Sequence, residues 1–173
     1  MSGLFSIPVS GLKEGLHYYD FEINKEFFDQ FEESEVKDGI LSVRIEARRT
    51  SSHIDLTVRI SGTVKVCCDR CLGYFPMNID SENRLLVKFG KARDESDPDI
   101  ITIAADEYEL DMKQNFYDYI HLALPIQRVH PNDKNGDSTC DPVMLKKLKE
   151  HVIEEDHNSD PRWDELKKLI NEN

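Results

Sequence analysis

Two stretches in which apolar and polar side chains alternate constrain the fold of this chain most strongly. Residues 41–47 and 54–60 both place an apolar side chain at every second position. A period of two predicts strands that turn one face to a core and the other to solvent. The polar segment 48–53 between them is short enough for a hairpin connection. The sequence therefore predicts an antiparallel meander with one covered face.

Other segments complete the predicted fold. Strand patterns recur at residues 64–66 and 84–89, and residues 100–103 are a candidate for one more short strand. Helical spacing of apolar side chains predicts a short helix at 24–31, capped by Asn24, and a longer one from Asp111 to the region of Pro125. Two further helices are predicted where Asp-Pro pairs, an N-cap and a first helical residue, open the segments 141–155 and 160–171.

The predicted fold class is α+β. We expect an antiparallel β-meander, partly closed, with peripheral helices and a C-x-x-C knuckle at a hairpin tip. Residues 1–140 are predicted to form one α+β domain, and residues 141–173 a C-terminal helical tail.

The charge of the chain is unevenly distributed. The net charge is −12, yet residues 40–93 carry 10 basic and 5 acidic side chains, between two acidic flanks. One interpretation is a solvated sheet face that neighbouring loops neutralise, and the other is a basic surface for RNA. The candidate RNA-binding residues on the polar side of the strands are Arg44, Arg48, Arg49, Arg59, Lys65, Arg84 and Lys88. No DNA binding is expected, because the overall charge repels nucleic acid at long range.

The segment "VKVCCDRCLGYFP" holds three of the four cysteines. We expect a cytoplasmic protein, because the N-terminus lacks a signal-peptide pattern and no apolar run approaches the length of a membrane helix. Thiols stay reduced in that compartment, so close cysteines indicate a metal site or catalysis before structural disulfides. Cys68 and Cys71 form a C-x-x-C pair that a strand enters and that Gly73 and Pro76 follow. This context favours a zinc knuckle over a redox pair, which sits at the start of a helix.

Zinc needs four ligands, and the knuckle supplies two. The predicted site is completed by His130 and Cys140, while His151 and His157 are weaker candidates. A metal-free reduced cluster and a redox-active Cys68–Cys71 pair remain open alternatives. Cys67, next to Cys68 in a strand, is expected to point to the other face and into the core.

No catalytic signature accompanies these cysteines. The sequence lacks a phosphate-binding Gly-rich loop, H-E-x-x-H and G-x-S-x-G, so no enzymatic activity is expected. The C-terminal segment "DPRWDELKKL" has an amphipathic stripe of Trp163, Leu166, Leu169 and Ile170. This stripe either packs on its own domain or docks on a partner protein.

The segments "SGTVKVCCDRCLGYF", "HLALPIQRVHPNDKNGDSTC" and "DPRWDELKKL" resemble the YceD-like family of large ribosomal RNA subunit accumulation proteins over about residues 35–170. The most specific part is the C-x-R-C-L of residues 68–72, followed by Leu124, Pro125 and His130. The resemblance implies a bacterial cytosolic protein, with relatives in chloroplasts, that supports synthesis, processing or stability of large-subunit ribosomal RNA. The implied partner is the pre-ribosomal large subunit, through its rRNA or a basic ribosomal protein. The alternatives are a thiol-disulfide redox protein and an acidic protein-interaction module without RNA contact.

Overall fold

The computed structural model describes residues 4–90, 97–104 and 106–151. Its main sheet has five strands in the order β2, β3, β4, β5 and β6. They are β2 (Gly15–Ile23), β3 (Gly39–Arg49), β4 (His53–Cys67), β5 (Tyr74–Phe89) and β6 (Ile100–Ile103). A second, two-stranded sheet pairs β1 (Ser6–Pro8) with β7 (Glu109–Asp111). The helices are α1 (Lys25–Phe28), α2 (Lys113–Leu122) and α3 (Pro142–His151).

The predicted antiparallel meander is confirmed for β3 to β5, and β2 extends it by one antiparallel strand. The apolar side chains of the alternating segments share one face, where Val43 lies opposite Ile60, and Leu56 opposite Leu85. All four of these side chains are buried. A period-two pattern therefore set the register, because a slip by one residue would move every apolar side chain into solvent.

The main sheet differs from the prediction at its edges. It is open, with β2 and β6 as its edge strands, so the predicted partial closure is wrong. β6 also pairs with β5 in parallel, with Leu86 opposite Ile100, which makes the sheet mixed at that edge.

Strand β2 was not predicted from the sequence. Its side chains Tyr19, Phe21 and Ile23 face the covered side of the sheet, but Leu16 and Tyr18 are exposed on the open side. Because apolar residues occupy both faces, hydrophobicity does not alternate along β2. Its aromatic content was the only strand signal available.

Helices α1 and α3 begin directly after the capping residues that the sequence predicted. The Asn24 side chain accepts a hydrogen bond from the backbone N–H of Glu26, and α1 ends at Phe28, earlier than the predicted helix at 24–31. α3 begins at the predicted Asp-Pro pair, where the Asp141 carboxylate accepts from the backbone N–H of Val143 at 2.8 Å. Within the described ranges, no helix has both the length and the apolar character to span a bilayer.

Helix α2 packs against the covered face of the main sheet through an aromatic cluster. Phe116 is fully buried, and its ring centroid lies 6.2 Å from that of Phe5 and 5.5 Å from that of Phe21. Phe5 in turn contacts Phe27 of α1 edge to face. The cluster therefore joins α1, α2, β2 and the segment before β1 in one core.

The predicted C-terminal docking stripe at Trp163, Leu166, Leu169 and Ile170 lies outside the described residues. The predicted division of the chain into an α+β domain of residues 1–140 and a helical tail of residues 141–173 stays a prediction.

Candidate metal centre

The C-x-x-C pair forms a knuckle at the tip of the β4–β5 hairpin. Cys67 and Tyr74 are the last paired residues of the two strands. Beyond them, the backbone N–H of Cys68 donates to the Gly73 carbonyl at 2.9 Å, and that of Leu72 donates to the Cys68 carbonyl at 2.9 Å. Leu72 adopts a left-handed conformation with φ 59°, which costs a non-glycine residue about 1–2 kcal/mol. The tight turn directs the thiols of Cys68 and Cys71 to the same side.

The other two predicted ligands lie at the ends of a folded loop. Asn132 and Ser138 form a β-bridge. Between them, the Asp133 carboxylate accepts hydrogen bonds from the backbone N–H groups of Asn135 and Asp137 at 2.8 and 2.9 Å. Gly136, with φ 90°, allows the chain to reverse. The nine residues between His130 and Cys140 therefore fold back, and the two ligand candidates meet.

A second set of contacts attaches this loop to the knuckle. The backbone N–H of Asp69 donates to the Arg128 carbonyl, and the backbone N–H of Arg128 donates to the Asp69 carboxylate. The Arg128 guanidinium also forms an ion pair of 2.6 Å with Glu35, and this cation holds the pKa of the Glu35 carboxyl below its ordinary value. The sequence did not predict these contacts, because they join residues 59 and 93 positions apart without a local pattern.

The four predicted ligand atoms converge. The sulfurs of Cys68 and Cys140 are 3.7 Å apart, and Nδ1 of His130 lies 3.3 Å from the Cys71 sulfur and 3.7 Å from the Cys140 sulfur. All four atoms lie within 4.8 Å of one another. A tetrahedral zinc ion, with Zn–S bonds of about 2.3 Å and Zn–N bonds of about 2.0 Å, places sulfurs about 3.8 Å apart and sulfur and nitrogen about 3.5 Å apart. These three separations of 3.7, 3.3 and 3.7 Å lie within about 0.2 Å of the edges of such a tetrahedron.

The surroundings of the cluster favour a thiolate at Cys68. Burial raises the pKa of this thiol, but hydrogen bonds from the backbone N–H groups of Cys71, Arg70 and His130 outweigh burial and lower the pKa to about 6. At Cys140 the Ser138 hydroxyl lowers the pKa, whereas burial and the neighbouring thiols raise it, and the net direction is upward. Backbone hydrogen bonds therefore stabilise a thiolate at Cys68, whereas a thiolate at Cys140 is disfavoured unless a cation lies beside it.

The cluster is enclosed by protein. Cys68, Cys71 and Cys140 are buried, and the Phe75 ring lies 4.6 Å from the His130 imidazole, centroid to centroid. This contact orients the imidazole, so that Nδ1 faces the thiols. The four side chains would occupy all four positions of a tetrahedral metal ion and leave none for water or substrate. The arrangement therefore matches a structural metal site rather than a catalytic one.

Cys67 differs from its prediction. It lies on the open face of the sheet and is only half-buried, and its thiol donates to the Leu72 carbonyl at 3.4 Å. The expectation that Cys67 fills the core is therefore wrong, because strand parity sends Val66 and not Cys67 to the covered side. His151, a weaker ligand candidate, is exposed at the end of α3 and outside the cluster, and His157 lies beyond the described residues.

The predicted basic face proves to be mixed in charge. Of the seven candidate residues, Arg49 lies on the opposite face, with its guanidinium 4.3 Å from the Phe89 ring centroid. Strands β2 to β5 place six basic and six acidic side chains on the open face: Arg44, Arg48, Arg59, Lys65, Arg84 and Lys88 with Asp20, Glu22, Glu46, Asp55, Asp80 and Glu82.

Two of the arginines on this face are already paired. The Arg44 and Arg59 guanidinium groups donate to Asp20 and Glu82 at 2.7 and 2.8 Å. The charges of these two central arginines, Arg44 and Arg59, are therefore balanced by acidic side chains on the neighbouring strands.

Comparison with protein-family models identifies the family of this chain, whereas comparison with curated proteins and with solved structures gave no match. One family model, described as large ribosomal RNA subunit accumulation protein YceD, matches residues 56–170, which is more than half of the chain. The match includes the knuckle, the His130–Cys140 loop and α3. The chain therefore belongs to the YceD family.

Proposed function

We propose that this protein is a non-enzymatic factor that supports the accumulation of large-subunit ribosomal RNA, and that one zinc ion stabilises its fold. The family match carries the functional part of the proposal. The convergence of Cys68, Cys71, His130 and Cys140 supports the metal part.

Zinc fits this site better than calcium or magnesium. Three soft thiolates and one imidazole at tetrahedral separations form a Cys3His set, whereas calcium and magnesium require oxygen ligands. Such a metal would join the β4–β5 hairpin to the segment that follows α2. Because those parts of the chain are distant in sequence, the metal would restrict the unfolded chain and contribute to the free energy of unfolding.

A thiol-disulfide function is the alternative that the low pKa of Cys68 favours. A redox pair, however, has no need of a third cysteine and a histidine within 4.8 Å of it. The knuckle also follows a strand, so the pair lacks the helix N-terminus that activates thioredoxin-like cysteines. The four-residue convergence therefore supports the metal site over the redox pair.

The proposed partner is the pre-ribosomal large subunit. Basic side chains outside the paired central arginines would contact rRNA phosphates, and the acidic flanks would face a basic ribosomal protein. The net charge of −12 limits the affinity for RNA and would permit release once the subunit matures.

Co-sedimentation of the full chain with large-subunit precursors tests the proposal. We expect the protein in the precursor fractions of a gradient run at about 50 mM salt, and its loss at about 200 mM salt, because phosphate contacts weaken as counterions compete. Mature large subunits run in parallel are the control and should carry less protein. Absence from precursor fractions at low salt would refute the proposed binding. Binding to a ribosomal protein that persists after RNase treatment and at high salt would instead favour the acidic interaction module.

A further inference from the structure

An exposed tyrosine lies among three lysines close to the knuckle. Tyr74, the first residue of β5, is 60% exposed on the open face of the sheet. Together with Lys25, Lys37 and Lys65 it lines a surface depression of about 220 Å³. The three lysines come from α1, from the segment before β3 and from β4, so the fold gathers them from separate parts of the chain.

These lysines differ from Arg44 and Arg59 of the open face in their pairing. In the part of the chain that the structure describes, no ion pair includes Lys25, Lys37 or Lys65. The Lys65 ammonium lies 5.9 Å from the Tyr74 ring centroid, and the Lys37 ammonium donates to the Glu32 carbonyl at 2.9 Å. Asp38 is the acidic residue that lines the same depression. The lining of the depression therefore contains three lysines and one aspartate, a local excess of positive charge on an acidic protein.

An apolar groove continues from the same tyrosine. A neighbouring depression of about 260 Å³ shares Tyr74, Lys65 and Asp38, and its lining also includes the apolar residues Ile40, Val64 and Pro76. Ile40 is 80% exposed, which leaves a large apolar side chain in solvent beside the lysines. The surface around Tyr74 thus combines lysines with exposed apolar side chains.

We propose that Tyr74, Lys25, Lys37 and Lys65 form a binding site for single-stranded RNA. A base stacks on the Tyr74 ring and packs beside Ile40, while the adjoining phosphates bind the lysines. A nucleotide matches both parts of the surface, since it has a flat apolar base and an anionic phosphate. An acidic peptide would match the lysines but would leave the aromatic ring without a stacking partner. A duplex is excluded as the ligand, because its bases are not free to stack on a side chain. This inference rests on the proposed function and adds a contact site to it.

Fluorescence anisotropy with a labelled, mixed-sequence single-stranded RNA 12-mer tests the site in the full-length protein. Tyr74→Ala is expected to weaken binding about 5- to 150-fold, the range for loss of one base–aromatic stack. Tyr74→Trp should keep the affinity within about 3-fold, because indole also stacks on a base. Tyr18→Ala is the matched control, since Tyr18 is 57% exposed on the same face but distant from the lysines along the sheet. Circular dichroism and metal content should be unchanged in all three variants.

The lysines are tested through the salt dependence of the same binding reaction. Lys25→Gln and Lys65→Gln should each reduce the slope of log K against log salt by about 0.7, the value for one phosphate contact on a single strand. Equal affinities for Tyr74→Ala and Tyr18→Ala would overturn the site. Equal binding of a double-stranded RNA 12-mer would also overturn the site. The same holds if the wild type fails to bind the single-stranded RNA but binds a polyglutamate peptide through Tyr74. These outcomes leave the co-sedimentation result intact, so the failure of the site and the failure of the proposed function are distinguishable.

Discussion

Replacing Cys68 with serine is expected to abolish stoichiometric zinc binding and to lower the free energy of unfolding by more than about 4 kcal/mol, because loss of a structural metal is among the most damaging single changes. Cys68 is fully buried, and among the described residues the cluster contains no fifth histidine, cysteine or carboxylate that could take its place as a ligand. For a chain of this length the melting temperature should fall by roughly 8–16 °C. Metal analysis and thermal melting of the purified variant measure both effects.

The adjacent cysteine provides the control for this experiment. Cys67 is half-buried, its thiol contacts the Leu72 carbonyl, and it is not part of the cluster of four candidate ligands. Cys67→Ser should therefore retain the metal and change the free energy of unfolding by less than about 1 kcal/mol. A Cys68→Ser variant with a full complement of zinc and an unchanged melting temperature would show that Cys68 is not a ligand.

Replacing Phe116 with alanine is expected to lower the free energy of unfolding by about 3–5 kcal/mol, because it removes a fully buried ring and leaves a cavity. Phe116 joins α2 to Phe5 and Phe21, so the cavity would open at the centre of the aromatic cluster. The folded variant should still bind one zinc, because its ligands lie outside this cluster. Chemical denaturation with metal analysis separates this packing defect from the loss of a ligand in Cys68→Ser.

Gln114→Ala on the same helix is the control for Phe116. The Gln114 side chain is exposed and donates to the Asp118 carboxylate, so its removal should change the free energy of unfolding by no more than about 0.5 kcal/mol. A Phe116→Ala variant as stable as Gln114→Ala would contradict the packing of α2 on the sheet.

The strands of the meander were predictable because each has one covered and one open face. Alternation in β3 and β4 identified both the strands and their buried sides. The same rule could not identify β2, where Leu16 and Tyr18 face solvent. It also could not give the parallel orientation of β6, since strand direction depends on how the chain returns to the sheet and not on local periodicity.

The ligand set was predicted from residue chemistry, whereas its assembly depends on contacts that sequence patterns do not report. The Asn132–Ser138 bridge shortens the path between His130 and Cys140, and the Asp69–Arg128 hydrogen bonds align their loop with the knuckle. The charge of the open face was overestimated for a similar reason. Counting charges along the sequence assigns Asp20 to the acidic N-terminal flank. In the fold, β2 pairs with β3, and Asp20 therefore lies beside Arg44 on the open face.

X-ray absorption at the zinc edge of the full-length protein, purified under reducing conditions, tests the metal centre most directly. One zinc per chain with three sulfurs at about 2.3 Å and one nitrogen at about 2.0 Å is the expected result, because Cys68, Cys71, Cys140 and His130 supply that set. A protein that binds no metal, or a zinc ion with two sulfurs and light-atom ligands, would contradict the proposed site.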